Sequence, residues 1–491
     1  MRTPLRLAFS ALFCAAVYGQ PIRLHPDNPH YFLFRGKPLV VVSSGEHYGA
    51  VCNPDFDFLR YLDALASDGM NYTRLFSGVY FEPQGAFGIE KNTLAPAAGK
   101  ALVPWARTTE AGNLGGGAKF DLNRWDAAYF NRLRTFMEEA AKRGIVVELT
   151  LFSSVYTDTN WKIHPLNPAN HVGGQVVTDR LKVNTLDNGA LLSVQESVVR
   201  KIVRELAEFD NVVFEIQNEP WSDLTDSAAV NNPYLFPFEL KEAGQFWKNR
   251  VDLAKLESLE WQKRVAGWIV GEEAGLPNRH LIAQNFCNFH YPVQDVDHNV
   301  SVMNFHYAWP DVIGQNYGWN RPVAFDETGF AGSDDATYSA QAWRFMMAGG
   351  AVFNNLDYSF TVGHEDGTDR NKAPGGGSAT LRKQLRVLKH FLESVDFVLM
   401  RPDPACVNKA PGAFAAVLSD PGREYALFVE AAGECRLTLD LPPGTYTAEW
   451  MDAFSGAVIK TEEVMCSGKP VEIQGPGTRG RFALRIRAGS R

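Results

Sequence analysis

The stretch FEIQNEPW, residues 214–221, decides how the rest of the chain is interpreted. With the Asn-Val-Val that precedes it, this stretch predicts a strand that enters a buried sheet, and Pro220 ends that strand. Because side chains alternate along a strand, we expect Glu215, Gln217 and Glu219 to lie on one side of it. The sequence therefore places two carboxylates at the end of a buried strand, where a purely structural strand would be apolar.

Apolar, β-branched segments alternate with segments of helical periodicity on both sides of this strand. Eight strands are predicted: Pro38–Ser44, Asn71–Ser77, Ile145–Phe152, Val212–Ile216, Leu281–Asn285, Val300–Tyr307, Pro322–Thr328 and Ala351–Phe360. Helices are predicted over Pro54–Ser67, Ala128–Arg143, Leu191–Phe209, Leu256–Val270, Thr337–Met347 and Leu381–Glu393. The alternation predicts a parallel sheet, and eight strands predict a closed (β/α)8 TIM barrel. An open doubly wound sheet is the alternative, but no GxGxxG turn follows the first strand.

The pattern changes at about Asp396. The segment EYALFVEAAGECRLTLDLPPGTYTAEWMDAFSGAVI, residues 424–459, has short alternating stretches broken by Gly and Pro, and GRFALRIRA closes the chain in the same way. Such alternation with frequent turns is typical of antiparallel sheets. We therefore expect a barrel domain over residues 20–395 and a small all-β sandwich domain over residues 396–491.

Residues 1–19 have the features of a secretory signal peptide. Arg2 and Arg6 precede the short apolar segment Leu7–Val17, and small residues follow it. A lipoprotein signal at Cys14 is an alternative, although Phe13 fits that motif poorly. No later stretch approaches 18 uninterrupted apolar residues, as a membrane-spanning helix requires. We expect a secreted or periplasmic protein without a membrane partner.

Charge and cysteine content narrow the class of ligand. The formal net charge is −8, and removal of residues 1–19, with two arginines and no acidic residue, moves it to −10. This excess argues against nucleic acid as a partner and is compatible with neutral glycans. The cysteines beyond residue 19 show no CxxC or Cys/His spacing, so we predict no metal and no cofactor. Cys435 with Cys466 is the pair to test as a disulfide.

Two of the predicted strands end in glutamate, the fourth at Glu219 and the seventh at Glu327. The C-terminal ends of barrel strands meet at one mouth, so these two side chains are expected to face one another. Two carboxylates flanking one bond are what glycoside hydrolysis requires. Strand parity predicts that Asp326 faces away from the barrel interior and that Glu215 is a buried, hydrogen-bonded support.

The motif EIQNEP, residues 215–220, resembles the Asn-Glu-Pro signature of clan A glycoside hydrolases, the superfamily that includes family 5 cellulases and mannanases. The resemblance covers about residues 30–395, and the sandwich resembles C-terminal β domains found on such barrels. It implies that Glu219 is the general acid/base and that Glu327, in VAFDETG, is the nucleophile. The implied activity is retaining hydrolysis of a β-linked oligo- or polysaccharide by a secreted enzyme.

The resemblance also implies roles for other residues at the strand ends. Asn218 would contact the 2-hydroxyl of the sugar, and Arg74 in NYTRLF would support the nucleophile. In NFHYAW, Tyr307 would hydrogen-bond to the nucleophile and His306 would line the sugar subsite. We expect Arg74 and Tyr307 to keep Glu327 ionised, and burial beside Glu327 to raise the pKa of Glu219.

The chain departs from the family 5 pattern at two strand ends. The common His after the third strand is missing, and so is the common Trp after the eighth. His47 after the first strand, and Tyr358 or Phe360 after the eighth, are the expected replacements. Three tryptophans follow strands three, four and six and are candidates for stacking on sugar rings: Trp161, Trp221 and Trp309.

Three other functions remain open on the sequence alone. A non-catalytic carbohydrate-binding protein on the same barrel is the main alternative. A metal-dependent barrel hydrolase would need a His-x-His after the first strand, where SSGEHYG offers one histidine. An adhesive role of the C-terminal sandwich is the third possibility.

Overall fold

The structure, a computed structural model, describes residues 19–173, 177, 179–229 and 246–489. The predicted signal peptide lies outside these residues apart from Gly19. Eight parallel strands form the main sheet, and they are numbered here as barrel strands: β1 Val41–Gly45, β2 Tyr72–Phe76, β3 Val146–Ser153, β4 Val212–Asn218, β5 Leu281–Asn288, β6 Val302–His306, β7 Val323–Glu327 and β8 Val352–Leu356. The order β1-β8-β7-β6-β5-β4-β3-β2 confirms the (β/α)8 topology.

Helices cover the outside of the barrel. They are α1 Phe58–Ser67, α2 Ala127–Lys142, α3 Leu191–Leu206, α4 Leu256–Glu273, α5 Asp311–Asn316, α6 Asp335–Met347 and α7 Ala379–Glu393. Four of them begin at a side chain that accepts hydrogen bonds from the first turn: Asp57, Asp126, Asp334 and Ser378. Residues 289–301, between β5 and β6, contain no helix, as the short spacing there predicts.

The seam between β1 and β2 closes the barrel through side chains. Among the described residues these two strands share no backbone ladder. Asn71 instead accepts from the Val42 amide at 3.2 Å and donates to the Val40 carbonyl at 2.9 Å, and the Ser43 hydroxyl donates to the Tyr72 carbonyl. The predicted first strand, Pro38–Ser44, spans two elements, because Lys37–Leu39 belongs to a separate N-terminal sheet with Arg23–Leu24 and Phe32–Phe34.

Insertions extend the mouth of the barrel. A three-stranded sheet is built from Trp105–Ala111 and Ala118–Trp125, which follow β2, and His171–Val172, which follows β3. After β4, Thr225–Ala229 pairs with Arg250–Ala254, and the second of these strands joins β5 where Leu253 lies opposite Cys287. The segments after β2, β3 and β4 therefore add sheet structure beyond the barrel strands.

The C-terminal region is an antiparallel sandwich, as predicted. A six-stranded sheet contains, in spatial order, Arg401–Pro402, Ala413–Asp420, Glu424–Ala431, Gly480–Ala488, Gly444–Asp452 and Val458–Cys466. A three-stranded sheet of Val407–Lys409, Arg436–Leu439 and Val471–Gln474 packs against it. Buried side chains from both sheets, among them Leu427, Leu437, Trp450 and Ile486, form the core between them.

The sandwich packs against α6 and α7. Trp343 of α6 stacks on Phe428 of the large sheet, with ring centroids 5.3 Å apart and an interplanar angle of 15°. Beside this stack, Glu430 forms ion pairs with Arg344 at 2.5 Å and Arg481 at 2.7 Å. The barrel and the sandwich therefore share an apolar contact flanked by charge pairs.

The five described cysteines are free and buried. The suggested Cys435–Cys466 disulfide is therefore wrong: the Cys466 thiol donates to the Leu441 carbonyl at 2.9 Å, and Cys435 packs beside Gly475. Within the described ranges, no helix is both long and apolar enough to cross a membrane.

Candidate active site

The C-terminal ends of the barrel strands open into a cavity of about 430 Å³. Glu219 after β4 and Glu327 at the end of β7 both line it, and both are more than nine-tenths buried. Of the other predicted site residues, five line the same cavity: His47, Asn218, Trp221, Tyr307 and Tyr358. The fold thus brings together side chains that lie up to 311 residues apart in the sequence (His47 to Tyr358).

Glu327 accepts hydrogen bonds from three donors. The guanidinium of Arg74 lies 3.0 Å and the hydroxyl of Tyr48 2.8 Å from Oε2. The Tyr307 hydroxyl donates to Oε1 at 2.9 Å. These contacts fix the orientation of the carboxylate at the floor of the cavity, which is what a nucleophilic carboxylate requires.

Asp326 corrects a prediction made from strand parity. The β6–β7 register pairs Phe305 with Phe325 and His306 with Glu327, so one extra residue of β7 forms a bulge. Because of this bulge, Asp326 and Glu327 both reach the interior of the barrel. The carboxylate of Asp326 lies 3.4 Å from Nε of Arg74 and 3.6 Å from Nε2 of His306.

Glu219 also receives three hydrogen-bonding groups. Nδ1 of His306 lies 2.9 Å and the Tyr307 hydroxyl 3.2 Å from Oε1. The Tyr156 hydroxyl donates to Oε2 at 2.9 Å. Glu219 is held in the left-handed region with φ +46°, and its amide donates to Oδ1 of Asn285 at 3.1 Å. The Glu219 side chain is therefore placed by a local turn and not by strand alternation.

Arg74 connects Glu327 to residues of β4. It donates to both oxygens of Glu215, at 2.8 and 2.7 Å, and to Oδ1 of Asn218 at 2.6 Å. Glu215 is fully buried in this network, as predicted. Gln217 differs from the prediction: it contacts Ser154 and Ser258 of α4, on the side of the outer helix. Arg74 is thus the central cation of the site.

His306 lies at the centre of the negative charges. Burial alone would lower its pKa, but the charges of Glu327 and Asp326 and the hydrogen bond to Glu219 raise the pKa of His306 well above the usual range. Nδ1 is 3.6 Å from Oε1 of Glu327 and closer to Glu219. The raised pKa favours the protonated form of His306, beside the guanidinium of Arg74.

The two glutamates have pKa shifts opposite to those expected. Burial, together with the charge of Glu219, raises the pKa of Glu327 although His306 and Arg74 oppose this. Burial also acts to raise the pKa of Glu219, but the hydrogen bonds and charge of His306, with the tyrosine hydroxyls, outweigh it and lower the pKa. The sequence could not reveal that His306 lies closer to Glu219 than to Glu327.

Among the residues that the structure describes, two groups of side chains have donor atoms close enough for a metal ion. In each of the triads Glu215–His306–Asp326 and Glu219–His306–Glu327, one donor atom per residue lies within 4.8 Å of the others. Arg74 already forms ion pairs with a carboxylate of each triad. A metal cation in either place would lie against this guanidinium, so the charges present suit proton transfer better than cation binding.

The predicted aromatic residues divide into two groups. Trp221 lines the cavity and meets His306 edge to face at 5.5 Å, and Tyr358 lies 5.8 Å from His47. Trp309 instead stacks on Phe289 at 5.1 Å, Trp161 packs against His164, and Phe360 lies over Arg382. None of these last three is among the residues that line the cavity.

Several non-glycine residues at the mouth of the barrel have a left-handed backbone conformation. Tyr48, Phe87, Glu219, Tyr307 and Phe330 all have φ between +46° and +60°, and all line the cavity. Such conformations cost about 1–3 kcal/mol each and are retained at functional sites. At Tyr307 the turn allows two neighbours in sequence, His306 and Tyr307, to contact the same carboxylate.

Sequence reasoning missed Tyr48, Tyr156 and Glu82. Tyr48 and Tyr156 donate to the two glutamates, and Tyr156 also accepts from Asn218 at 2.6 Å. Glu82 pairs with Nε2 of His47 at 3.1 Å. The sequence signal is weak: Tyr48 adjoins the predicted His47, and Tyr156 follows the third strand, where this chain lacks a histidine.

Comparison with known proteins gives the fold. No protein-family model and no curated protein matches this chain. A putative glycoside hydrolase from Bacteroides vulgatus is similar over 96% of this chain and 82% of its own, with 13% identity and a TM-score of 0.64. A glycoside hydrolase family 5 protein from the same organism covers 96% and 93% at 10% identity, with a TM-score of 0.62. A third structure, called a glycoside hydrolase, covers 96% and 98% at 11% identity and a TM-score of 0.57. This chain therefore shares the barrel-plus-sandwich architecture of these proteins.

Proposed function

We propose that this protein is a retaining glycoside hydrolase that cleaves a β-linked glycan. The observation that carries the proposal is the approach of Glu219 and Glu327, whose nearest carboxylate oxygens lie within 4.8 Å across one cavity. Retaining enzymes hold their carboxyl groups about 5–5.5 Å apart, whereas inverting enzymes leave about 6.5–9.5 Å for a water molecule. The structural likeness to proteins named glycoside hydrolases is consistent with this function.

The first step forms a covalent intermediate. An oxygen of Glu327 attacks the anomeric carbon, and the bond from that carbon to the leaving oxygen breaks with its electron pair on the oxygen. Glu219 donates its proton to that oxygen. In the second step, Glu219 takes a proton from water, the water oxygen attacks the anomeric carbon, and the bond to Glu327 breaks.

The proton for the first step has a local source. The pKa of Glu219 is lowered, whereas the pKa of His306, one hydrogen bond away, is raised. A glycan that fills the cavity excludes water, and the loss of water favours the neutral forms of His306 and Glu219. Both become neutral when the proton on Nδ1 of His306 moves to Glu219. Arg74, Tyr48 and Tyr307 stabilise the Glu327 carboxylate before the attack.

The supporting residues have separate tasks in this proposal. Asn218, held by Arg74 and Tyr156, presents its amide to the sugar 2-hydroxyl, and the cavity-lining rings of Trp221 and Tyr358 contact the sugar. The barrel domain, which we place at residues 20–395, carries every one of these groups. Secretion remains a prediction from residues 1–19.

The test is a screen of β-linked polysaccharides and aryl β-glycosides. Wild type, Glu327→Ala and Glu219→Ala are compared with Glu208→Ala, a control whose side chain is 69% exposed. We expect hydrolysis by wild type and the control and loss to background in Glu327→Ala. Full activity of Glu327→Ala would disprove the nucleophile assignment. Glycan binding by wild type with no hydrolysis would instead support the carbohydrate-binding alternative.

A further inference from the structure

The two glutamates define the direction in which a substrate lies. In the proposed mechanism Glu219 protonates the leaving oxygen, so the leaving group lies on the side of Glu219 and of the segment after β4 that contains Trp221 and Thr225. The sugar that is attacked, the glycone, lies on the opposite side of Glu327. That side is lined by residues after β1 and β8, including His47, Tyr48 and Tyr358.

The glycone side is enclosed by two segments joined to each other. Lys91 after β2 forms an ion pair with Asp369 after β8 at 2.9 Å. The Lys91 amide donates to Oδ1 of Asn371 at 3.0 Å, and Nδ2 of Asn371 donates back to the Lys91 carbonyl at 3.0 Å. The Glu90 amide donates to the Lys372 carbonyl at 2.9 Å. These contacts cross the end of β1 and form a continuous wall.

The same wall continues on both sides. The Phe330 amide, after β7, donates to the carbonyl of Pro374 at 2.6 Å. At the other end, Phe87 after β2 meets Tyr156 after β3 edge to face at 5.0 Å. Backbone and ring contacts therefore link the segments after β7, β8, β2 and β3 around the glycone side.

The inner surface of the wall combines a buried apolar side chain with a buried polar cluster. Ile89 is fully buried, and Glu82 is hydrogen-bonded to His47 at 3.1 Å and to Asn92 at 2.5 Å. Burial alone would lower the pKa of His47, but the charge and hydrogen bond of Glu82 and the charge of Glu327 raise it. The Glu82 carboxylate is held in place by both His47 and Asn92. This part of the cavity is thus a rigid end that offers a donor and an acceptor to sugar hydroxyls.

We propose that the enzyme acts on chain ends: it holds a single glycone sugar against the wall and releases one sugar at a time from the non-reducing end. A second sugar attached to the glycone would have to pass through the segments joined by Lys91, Asp369 and Asn371. The inference rests on the proposed function. His47 and Glu82 recognise the hydroxyls of that terminal sugar.

The experiment uses β-linked oligosaccharides labelled at the reducing end, with the matching polysaccharide in a viscometer. We expect labelled chains to shorten by one sugar at a time, with monosaccharide as the unlabelled product and little early loss of viscosity. Mixed-length products from the start, with a rapid fall in viscosity, would overturn end-specific action and leave glycoside hydrolysis standing. No hydrolysis of any oligosaccharide or aryl glycoside would overturn both.

Paired variants test whether the wall is the cause. Lys91→Ala combined with Asn371→Ala removes the side-chain ties between the two segments. Lys100→Ala is the matched control, because Lys100 lies in the same segment after β2 but pairs with Asp55 at 3.0 Å. We expect the double variant to release several-fold more products longer than one sugar, and the control to match wild type. An unchanged product distribution in a folded double variant would overturn the proposal.

Discussion

Tyr48→Phe removes the hydroxyl that donates a hydrogen bond to Glu327 and keeps the aromatic ring. The Tyr48 hydroxyl donates to Oε2 at 2.8 Å, so its loss destabilises the ionised carboxylate. Hydrogen bonds to charged groups contribute about 1.5–3 kcal/mol. One pKa unit corresponds to about 1.4 kcal/mol, so the pKa of Glu327 should rise by about 1–2 units. Arg74 and Tyr307 remain as donors, which favours the lower end of this range.

The assay is the pH dependence of kcat/KM on an aryl β-glycoside. Glu327 must be ionised to attack, so activity falls as the pH drops through its pKa, and the acid limb should move to higher pH by about 1 unit. Tyr72→Phe is the control, because the buried Tyr72 hydroxyl has no hydrogen-bond partner among the described residues. An acid limb that stays in place in Tyr48→Phe, or moves to lower pH, would refute the role assigned to Tyr48.

Two further predictions test the acid and the domain contact. Glu219→Gln should lower kcat/KM by about 10²–10⁴-fold on substrates with poor leaving groups. The loss should be far smaller on 2,4-dinitrophenyl glycosides, because their leaving group needs no protonation. Equal losses on both kinds of substrate would contradict the role of Glu219 as the acid. Trp343→Ala removes the stack on Phe428 and should destabilise the protein by about 3–5 kcal/mol. We expect a lower midpoint of urea unfolding than in wild type or in Val458→Ala, a control at an exposed position. An unchanged midpoint would contradict the contact between the barrel and the sandwich.

Much of the barrel could be predicted from local pattern. Buried parallel strands are apolar runs, and the sequence predicts all eight close to their observed positions because most of the helices between them have a distinct periodicity. The strand boundaries differ more: the predicted eighth strand, Ala351–Phe360, ends at Leu356 in the structure, and Tyr358 beyond it lines the cavity. The two glutamates were found because each ends a strand.

The contacts between site residues could not be predicted in the same way. The bulge at Asp326 depends on the register between β6 and β7, and the turns at Tyr48 and Tyr307 depend on left-handed backbone at non-glycine residues. The residue types at these positions indicate neither the bulge nor the turns. The wall built by Lys91 and Asp369 joins segments 278 residues apart, which no local pattern reports.

The stereochemistry of the first product tests the central claim most directly. Proton NMR of an aryl β-glycoside digest, recorded before mutarotation, distinguishes the two anomers of the released sugar. Double displacement through Glu327 predicts that the β anomer is formed first. Formation of the α anomer first would show inversion and would contradict the covalent role of Glu327.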